Sequence, residues 1–266
     1  MATRHKFPAF AVGTFLSIYP FFFTAAEPGE TPIAPELENR VEPTYKGRTL
    51  ASWLGDLGNK PAGPEYQPAA DAIRQMGAAT IPYLLRALEQ ADAFPEKADH
   101  AVNAFRELGV QAKDATPKLS ELLSKESSSS FAANALVALG ADAPVIELMA
   151  QSNRQLRKNA IVALGSYGAN AEAVPELVPL LRDKDDELRA LTAWALGAIS
   201  KEDEKCVPAL ARSLDDQTAW VRANAATALS NFKSERNISL PALIHSTADK
   251  DESVRDSAIS SLRRLF

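Results

Sequence analysis

Along most of the chain, apolar residues recur at three- and four-residue spacing, the pattern of helices that bury one face. Leu50, Trp53, Leu54 and Leu57 open the series, and the stretch from Gly58 to Pro64 breaks the helix they predict. Farther on, one unit recurs: an apolar helix led by Pro, an acidic turn, then a second helix with an apolar residue and Arg near its start. Arg157, Arg189, Arg222 and Arg255 are separated by 32, 33 and 33 residues, and Pro175, Pro208 and Pro241 by 33 each. The second helices are expected to end near Gly77, Gly109, Gly140, Gly165, Gly197, Ser230 and Arg263, at steps of 32, 31, 25, 32, 33 and 33. A unit of this period cannot bury its apolar face alone, so stacking is required. The expectation is an all-α fold, a right-handed α-solenoid of about seven antiparallel helix pairs over residues 47–266. The short step before Gly165 predicts a local change of superhelical twist.

Counting from the Arg as zero, position −1 holds Leu156, Leu188, Val221 and Val254, +4 holds Ile161, Ala193, Ala226 and Ile259, and +7 holds Leu164, Leu196, Leu229 and Leu262. These define the core face, with small residues at +3 and +6 that let successive helices approach closely. Four residues before each Arg stand Asn153, Asp185, Thr218 and Asp251, all types that accept a hydrogen bond from the free amides of a helix start, and all are expected as N-caps. Six before it stand Asp183, Asp216 and Asp249. With Arg189, Arg222 and Arg255 they form either a charge-reading surface or a structural ladder tying turns together, and the ladder is the expectation.

Charge changes the picture at the N-terminus. Arg4, His5 and Lys6 precede an uncharged, mostly apolar run from Phe7 to Ala26 with small residues at its exit, the layout of a signal peptide over residues 1–26 cleaved near Ala26. An uncleaved membrane anchor is the alternative, because the run is about long enough to span a bilayer. Residues 27–46 carry Pro28, Pro32, Pro35 and Pro43 among five Glu and read as a tether. The chain has 29 basic and 34 acidic residues, and losing Arg4 and Lys6 would leave 27 against 34, a net of −7. Nucleic acid is therefore not an expected partner, since phosphate binding needs clustered Lys and Arg. The expected address is periplasmic or extracellular.

The unit Pro-x-Leu-x-x-Leu-(Leu)-x-Asp-x-Asp-x-x-(Leu/Val)-Arg-x-x-Ala-x-x-Ala-Leu-Gly, as in Pro175 to Gly197, resembles the HEAT repeat in the short form found in many bacterial proteins and in phycobilin lyases. The resemblance is clear from residue 141 onward and weaker before it, where Ala69, Ala101 and Ala132 replace the Arg. It implies a superhelix of HEAT or armadillo type whose second helices line a concave, partner-binding surface. Phycobilin-lyase-like chemistry is the alternative function it implies, and export argues against it.

The second-helix positions turned farthest from the core are +2 and +5. They read Asp71, Asn103, Asn134, Asn159, Leu191, Asn224 and Ser257, then Arg74, Arg106, Val137, Val162, Trp194, Thr227 and Ser260. Asn103, Arg106, Asn134, Asn159, Leu191, Trp194 and Asn224 are the candidate partner-binding residues, because carboxamides donate and accept hydrogen bonds and Trp anchors interfaces. The alternative is that the Asn residues bond one another and Trp194 packs on its neighbour. Trp53 and Trp220 are expected to be packing residues. No catalytic residue, metal site or cofactor is expected: His100 and His245 stand in different repeats, and Cys206, the lone Cys, reads as a small apolar filler. The reading is a non-enzymatic scaffold for another protein or peptide. The last second helix ends in Arg263-Arg264-Leu265-Phe266 without a polar capping repeat, an open end suited to self-association. The intact mass of the exported protein should correspond to a chain starting at Glu27; a mass including residues 1–26 would make the segment an anchor.

Overall fold

The computed structural model describes residues 41–58, 63–169, 171–199 and 204–266. The expected signal segment and residues 27–40 of the expected linker lie outside them. The described chain begins with a two-stranded antiparallel hairpin, β1 (Thr44–Tyr45) and β2 (Arg48–Thr49). Its turn is made by Lys46 and Gly47, both at positive φ (48° and 75°). The segment expected as linker through residue 46 therefore ends earlier: Tyr45 packs on the core, and the amide of Leu50 donates to the Pro43 carbonyl at 2.9 Å.

Seven helix pairs follow among the described residues. The first helices are α1 (Leu50–Gly58), α3 (Ile81–Glu89), α5 (Thr116–Leu122), α7 (Ala143–Leu148), α9 (Val174–Leu177, continued by a 3-10 turn Val178–Arg182), α11 (Val207–Arg212) and α13 (Arg236–Ser246). The second helices are α2 (Tyr66–Met76), α4 (Pro95–Leu108), α6 (Glu126–Ala138), α8 (Arg154–Tyr167), α10 (Asp186–Ile199), α12 (Ala219–Leu229) and α14 (Glu252–Leu265). From α4 to α12 each second helix packs on the second helices before and after it, and α1 packs against both α2 and α4. The fold is thus an α-solenoid. Pro175 and Pro208 stand at the first helical turns, where a missing N–H leaves nothing unsatisfied. Pro241 does not lead its helix: α13 starts at Arg236 and carries Pro241 inside. The short repeat step has a visible cause. The first helix of that pair, α7, has 6 residues where α3 has 9, and residues 139–142 join α6 to α7 where a 7-residue 3-10 segment, Gly109–Ala115, joins α4 to α5.

The core falls on the expected rows. Leu188, Val221, Ile161, Ala193, Leu164, Leu196 and Leu229 are fully buried, and so are Ala160, Thr192 and Ala225 at +3. Ile259, expected in the core, is 39% exposed because no further helix among the described residues covers that side of α14. Gly165 and Gly197 do not end their helices. Both lie inside, where a Cβ at Gly165 would meet the Trp194 ring at 2.5 Å and one at Gly197 the Cα of Ala228 at 2.7 Å. Glycine is needed there for close helix approach, whereas Gly77, Gly109 and Gly140 have the positive φ of true helix ends.

A ladder of charge-assisted bonds runs along the turns. Arg157 reaches Asp183, Arg189 reaches Asp216 at 2.8 and 2.9 Å, and Arg222 reaches Asp249 at 2.7 and 2.8 Å. Each Arg therefore grips the Asp of the following repeat. It also donates to a main-chain carbonyl of its own turn: Arg157 to Met149, Arg189 to Asp183, Arg222 to Asp216. The second oxygen of each Asp accepts the amide two residues on, from Asp185, Thr218 and Asp251. Among the described residues Arg255 has only the Asp249 carbonyl, at 2.7 Å. Asn153, Asp185 and Asp251 accept the amides of their helix starts, as caps do. Thr218 does not. Its hydroxyl lies 3.4 Å from Asp186, and Asp216 instead takes the Thr218 amide.

These contacts set acid stability. Burial works to raise the Asp183 and Asp216 carboxyls, but the bonds from Arg157, Arg189 and the Asp185 and Thr218 amides outweigh it, leaving both below the usual carboxylate range. Asp249 is lowered by its bond from Arg222, against burial. The Arg154 guanidinium pulls Asp185 down to about 2. Groups depressed on folding stabilise the fold above the unfolded carboxylate value of about 4 and lose that contribution as pH falls through their folded values. Urea midpoints should therefore hold near pH 6 and fall steeply between about pH 4 and 2. Arg222→Ala, which strands a carboxylate that is 13% exposed, should lower the unfolding free energy by about 3 kcal/mol. Arg255→Ala should cost less than about 1 kcal/mol. Gly197→Ala, pushed against backbone, should cost about 2 kcal/mol or more by denaturant titration, while Gly55→Ala in α1, with nothing within 4 Å, should be neutral or stabilising.

Candidate functional site

With the core rows and the ladder turned inward or along the turns, each second helix leaves one face uncovered. At 3.6 residues per turn, positions −2, +2, +5 and +9 fall within about 60° of one another. In α12 this face is Trp220, Asn224, Thr227 and, just past the helix, Asn231, all exposed or half-buried, while Val221, Arg222, Ala225, Ala226, Ala228 and Leu229 are buried. The same division holds in α8 and α10. Side by side, these faces make a continuous surface with few charges.

The carboxamides on it differ. Asn159 is engaged within the fold: it accepts from the Gln155 amide group at 2.9 Å, and its own N–H group lies 3.4 Å from the Ser129 hydroxyl. Asn103, Asn134 and Asn224 are half-buried and have no hydrogen-bond partner among the described residues. Three helices thus present carboxamides free to donate and accept. Leu191 and Trp194 are half-buried and packed against the core, with the Trp194 ring over Gly165, so they form floor rather than projections. Val137 is only 3% exposed and does not line the surface.

Trp220 departs from expectation. It stands at −2 of α12 and is 36% exposed, on the same face as Asn224 and beside the helix that carries Leu191 and Trp194. Trp53, by contrast, packs: its ring N–H donates to the Tyr45 carbonyl at 3.1 Å, and the Arg48 guanidinium lies 3.8 Å over its ring. The −2 row carried the missing signal, since it shares the angular sector of +2 and +5.

At the N-terminal end the face carries a charged cluster. Arg106 donates to the Tyr66 hydroxyl at 2.9 Å, that hydroxyl donates to Glu107 at 2.7 Å, and Arg74 bonds both Glu107 and Asp71. Burial raises the Tyr66 phenol above its usual value, and the carboxylate of Glu107 raises it further against the pull of Arg106. The phenol stays protonated and bridges α2 to α4. Arg106 is thereby held in place, with part of its guanidinium open to solvent. Sequence reading found Arg106 and Arg74 but not Tyr66 or Glu107, which meet across 41 residues.

Other candidate chemistry is placed as follows. Cys206 is buried. His100 lies against Gly58 with Glu96, four residues earlier, at 3.9 Å. Among the described residues no three His, Cys, Asp or Glu side chains gather as a metal site, and no helix is long and apolar enough to cross a membrane.

Residues 142–205 and 200–263 each match the family model for HEAT repeats. No curated protein matches the chain. In shape the chain is similar to human deoxyhypusine hydroxylase in complex with glycerol, at 19% identity over 81% of this chain and 95% of that one, with a TM-score of 0.40. It is also similar to a designed armadillo repeat protein in complex with a (KR)4 peptide, at 22% identity over 82% and 99%, TM-score 0.42. The complex of CpcE and CpcF of phycocyanin lyase from Nostoc gives 19% identity over 56% and 98%, TM-score 0.49. Residues 142–263 are thus similar to HEAT repeats, and the helix pairs before them extend the same solenoid.

Proposed function

We propose that the protein is a non-enzymatic, exported scaffold that holds an extended segment of another protein along its second-helix face. One observation carries the reading: Asn103, Asn134 and Asn224 keep unpaired carboxamides on that face, flanking an apolar stretch of Val162, Leu191, Trp194 and Trp220. A carboxamide can donate to a peptide carbonyl and accept from a peptide N–H at once, so a series of them reads an extended main chain without regard to side chains. Adjacent packed helices stand about 9–10 Å apart. Three residues of extended chain cover about 10 Å, so successive second helices meet a bound segment about every third residue. The half-buried aromatic floor supplies the apolar contact that hydrogen bonds alone, exchanged against water, do not.

Export is part of the proposal and rests on the N-terminal layout of a basic start, an apolar run and a small-residue exit. The alternative reading, bilin-transferring chemistry of the lyase kind, predicts a spectral change when the protein is mixed with a bilin and an apo acceptor; none is expected.

Affinity capture from an envelope extract, with residues 27–266 as bait, should retain a partner that crosslinks to α6 through α12. The triple variant Asn103→Ala, Asn134→Ala and Asn224→Ala, whose side chains support nothing in the fold, should melt within a few degrees of the native protein and bind that partner at least tenfold more weakly. Equal capture by both baits would remove the carboxamide row from the interface.

A further inference from the structure

We infer that the end face of the helix pair α13 and α14 is the contact between two copies of this chain, with the two α14 helices packed antiparallel. The inference does not depend on the peptide reading, and the contact leaves the carboxamide row open.

The stripe of a second helix that meets the following repeat can be read from the helices that have one. Arg154 at −3 reaches Asp185 and Glu187, and Lys158 at +1 reaches Glu187. Ile161, Ala193 and Ala226 at +4 are fully buried. A Cβ at Gly165 or Gly197, both at +8, would strike the next second helix. At about 100° per residue, −3, +1, +4 and +8 fall within about 60° of one another, so they form one stripe. In α14 that stripe is Glu252, Asp256, Ile259 and Arg263. The three charged side chains are exposed and form no ion pair among the described residues, and Ile259 is exposed where its counterparts are buried. The first helix of the pair shows the same contrast. Val178, three residues after Pro175, faces α11 across a hollow lined also by Ala209 and Arg212, whereas Ile244, three after Pro241, is 59% exposed. Of the seven large apolar side chains exposed among the described residues, Ile244, Ile259 and Phe266 thus belong to this one end.

Another repeat stacked as the earlier ones are does not fit this stripe. Position +8 holds Gly165, Gly197 and Ser230 in the three preceding second helices, small enough to admit a neighbour, and Arg263 fills it in α14. The stripe does fit a reversed copy of itself. Its N-terminal half holds Glu252 and Asp256, which outweigh Arg255 at its edge, and its C-terminal half holds Arg263, with Ile259 between them. Asp256 stands three residues before Ile259 and Arg263 four after it. Two α14 helices crossing antiparallel at Ile259 therefore bring each Asp256 opposite Arg263 of the second copy, to within about one helical rise of 1.5 Å along the axis. The match is made twice by symmetry, and antiparallel helix dipoles favour it. A parallel copy would set like charges against each other. Arg264 takes no part, since it faces back to a hollow with Ser230, Asn231 and Lys233. The other end of the solenoid offers no complement: Arg48 is already paired with Asp56, and the hairpin covers Trp53. The contact is thus the same patch on both copies, which closes at two.

The test is sedimentation equilibrium of residues 27–266, native and with Ile259→Asp, Asp256→Lys, Arg263→Glu, and Asp256→Lys combined with Arg263→Glu. All of these side chains are exposed, so folding should be retained, and melting curves check it. The native protein should pass from one copy to two over about 1–100 µM. Ile259→Asp and each single charge reversal should weaken the dimer about tenfold or more, and the combined reversal should restore it to within about threefold of native. A native protein that stays a single copy at about 100 µM would overturn the inference, and so would a dimer indifferent to Ile259→Asp and Arg263→Glu. Assemblies larger than two would contradict a closed contact, and a combined reversal no better than the single ones would contradict the antiparallel match.

Discussion

The bond from each Arg to the Asp of the next repeat is the interaction on which the C-terminal half of this solenoid depends. A single repeat has two short helices and too little apolar surface to fold alone, so its stability lies in the interfaces between repeats. Apolar packing supplies most of that interface energy but is tolerant of small slips in register. The ladder is not. Arg189 and Arg222 each meet both oxygens of a carboxylate while donating back to their own turn, so the separation of consecutive turns is fixed to hydrogen-bond precision. The pairs lie at about 15% exposure or less, where the partners are shielded from water and removing one leaves the other costly.

The repeats before α7 are joined differently. Ala69, Ala101 and Ala132 stand where the Arg would be, and all three are buried. In that half the cross-repeat polar contacts include the Tyr66, Glu107, Arg74 and Arg106 cluster on the second-helix face and the Lys118–Glu89 pair between α5 and α3, and the hairpin with Arg48 stacked on Trp53 closes the end. One solenoid therefore uses two kinds of staple, with the shortened connection between α6 and α7 at the change-over. Because the ladder lies on the turns and spares the exposed face of the second helices, that face is free to keep Asn, Trp and small hydroxyl residues that contribute little to folding.

The parts of this structure that repeat in the sequence could be read from it. The helix pairs, the buried rows at −1, +3, +4 and +7, and the acidic turns follow from local backbone chemistry and a period near 33. What escaped depends on which surfaces meet. Thr218 is of a capping type, yet its hydroxyl turns to Asp186 of the preceding repeat and not to its own helix start. Gly165 and Gly197 look like helix ends, yet they serve as points of close approach, since nothing local distinguishes a glycine that ends a helix from one that admits a neighbour. Asn159 is drawn into a chain with Gln155 and Ser129, whereas three other Asn of the same row remain unpaired. Trp53 and Trp220 are alike in sequence terms; one is covered by its own hairpin and the other by nothing in the described chain.

The functional account requires the ladder to be a coupling device and the second-helix face to be spared from folding. A double-mutant cycle on Arg189→Met and Asp216→Asn, followed by denaturant unfolding, tests the first of these directly. The account predicts that the double variant loses less stability than the two single losses combined, with a coupling of about 1–3 kcal/mol between the residues. Additive losses, within about 0.5 kcal/mol, would contradict it and leave apolar packing alone to set the register of the repeats.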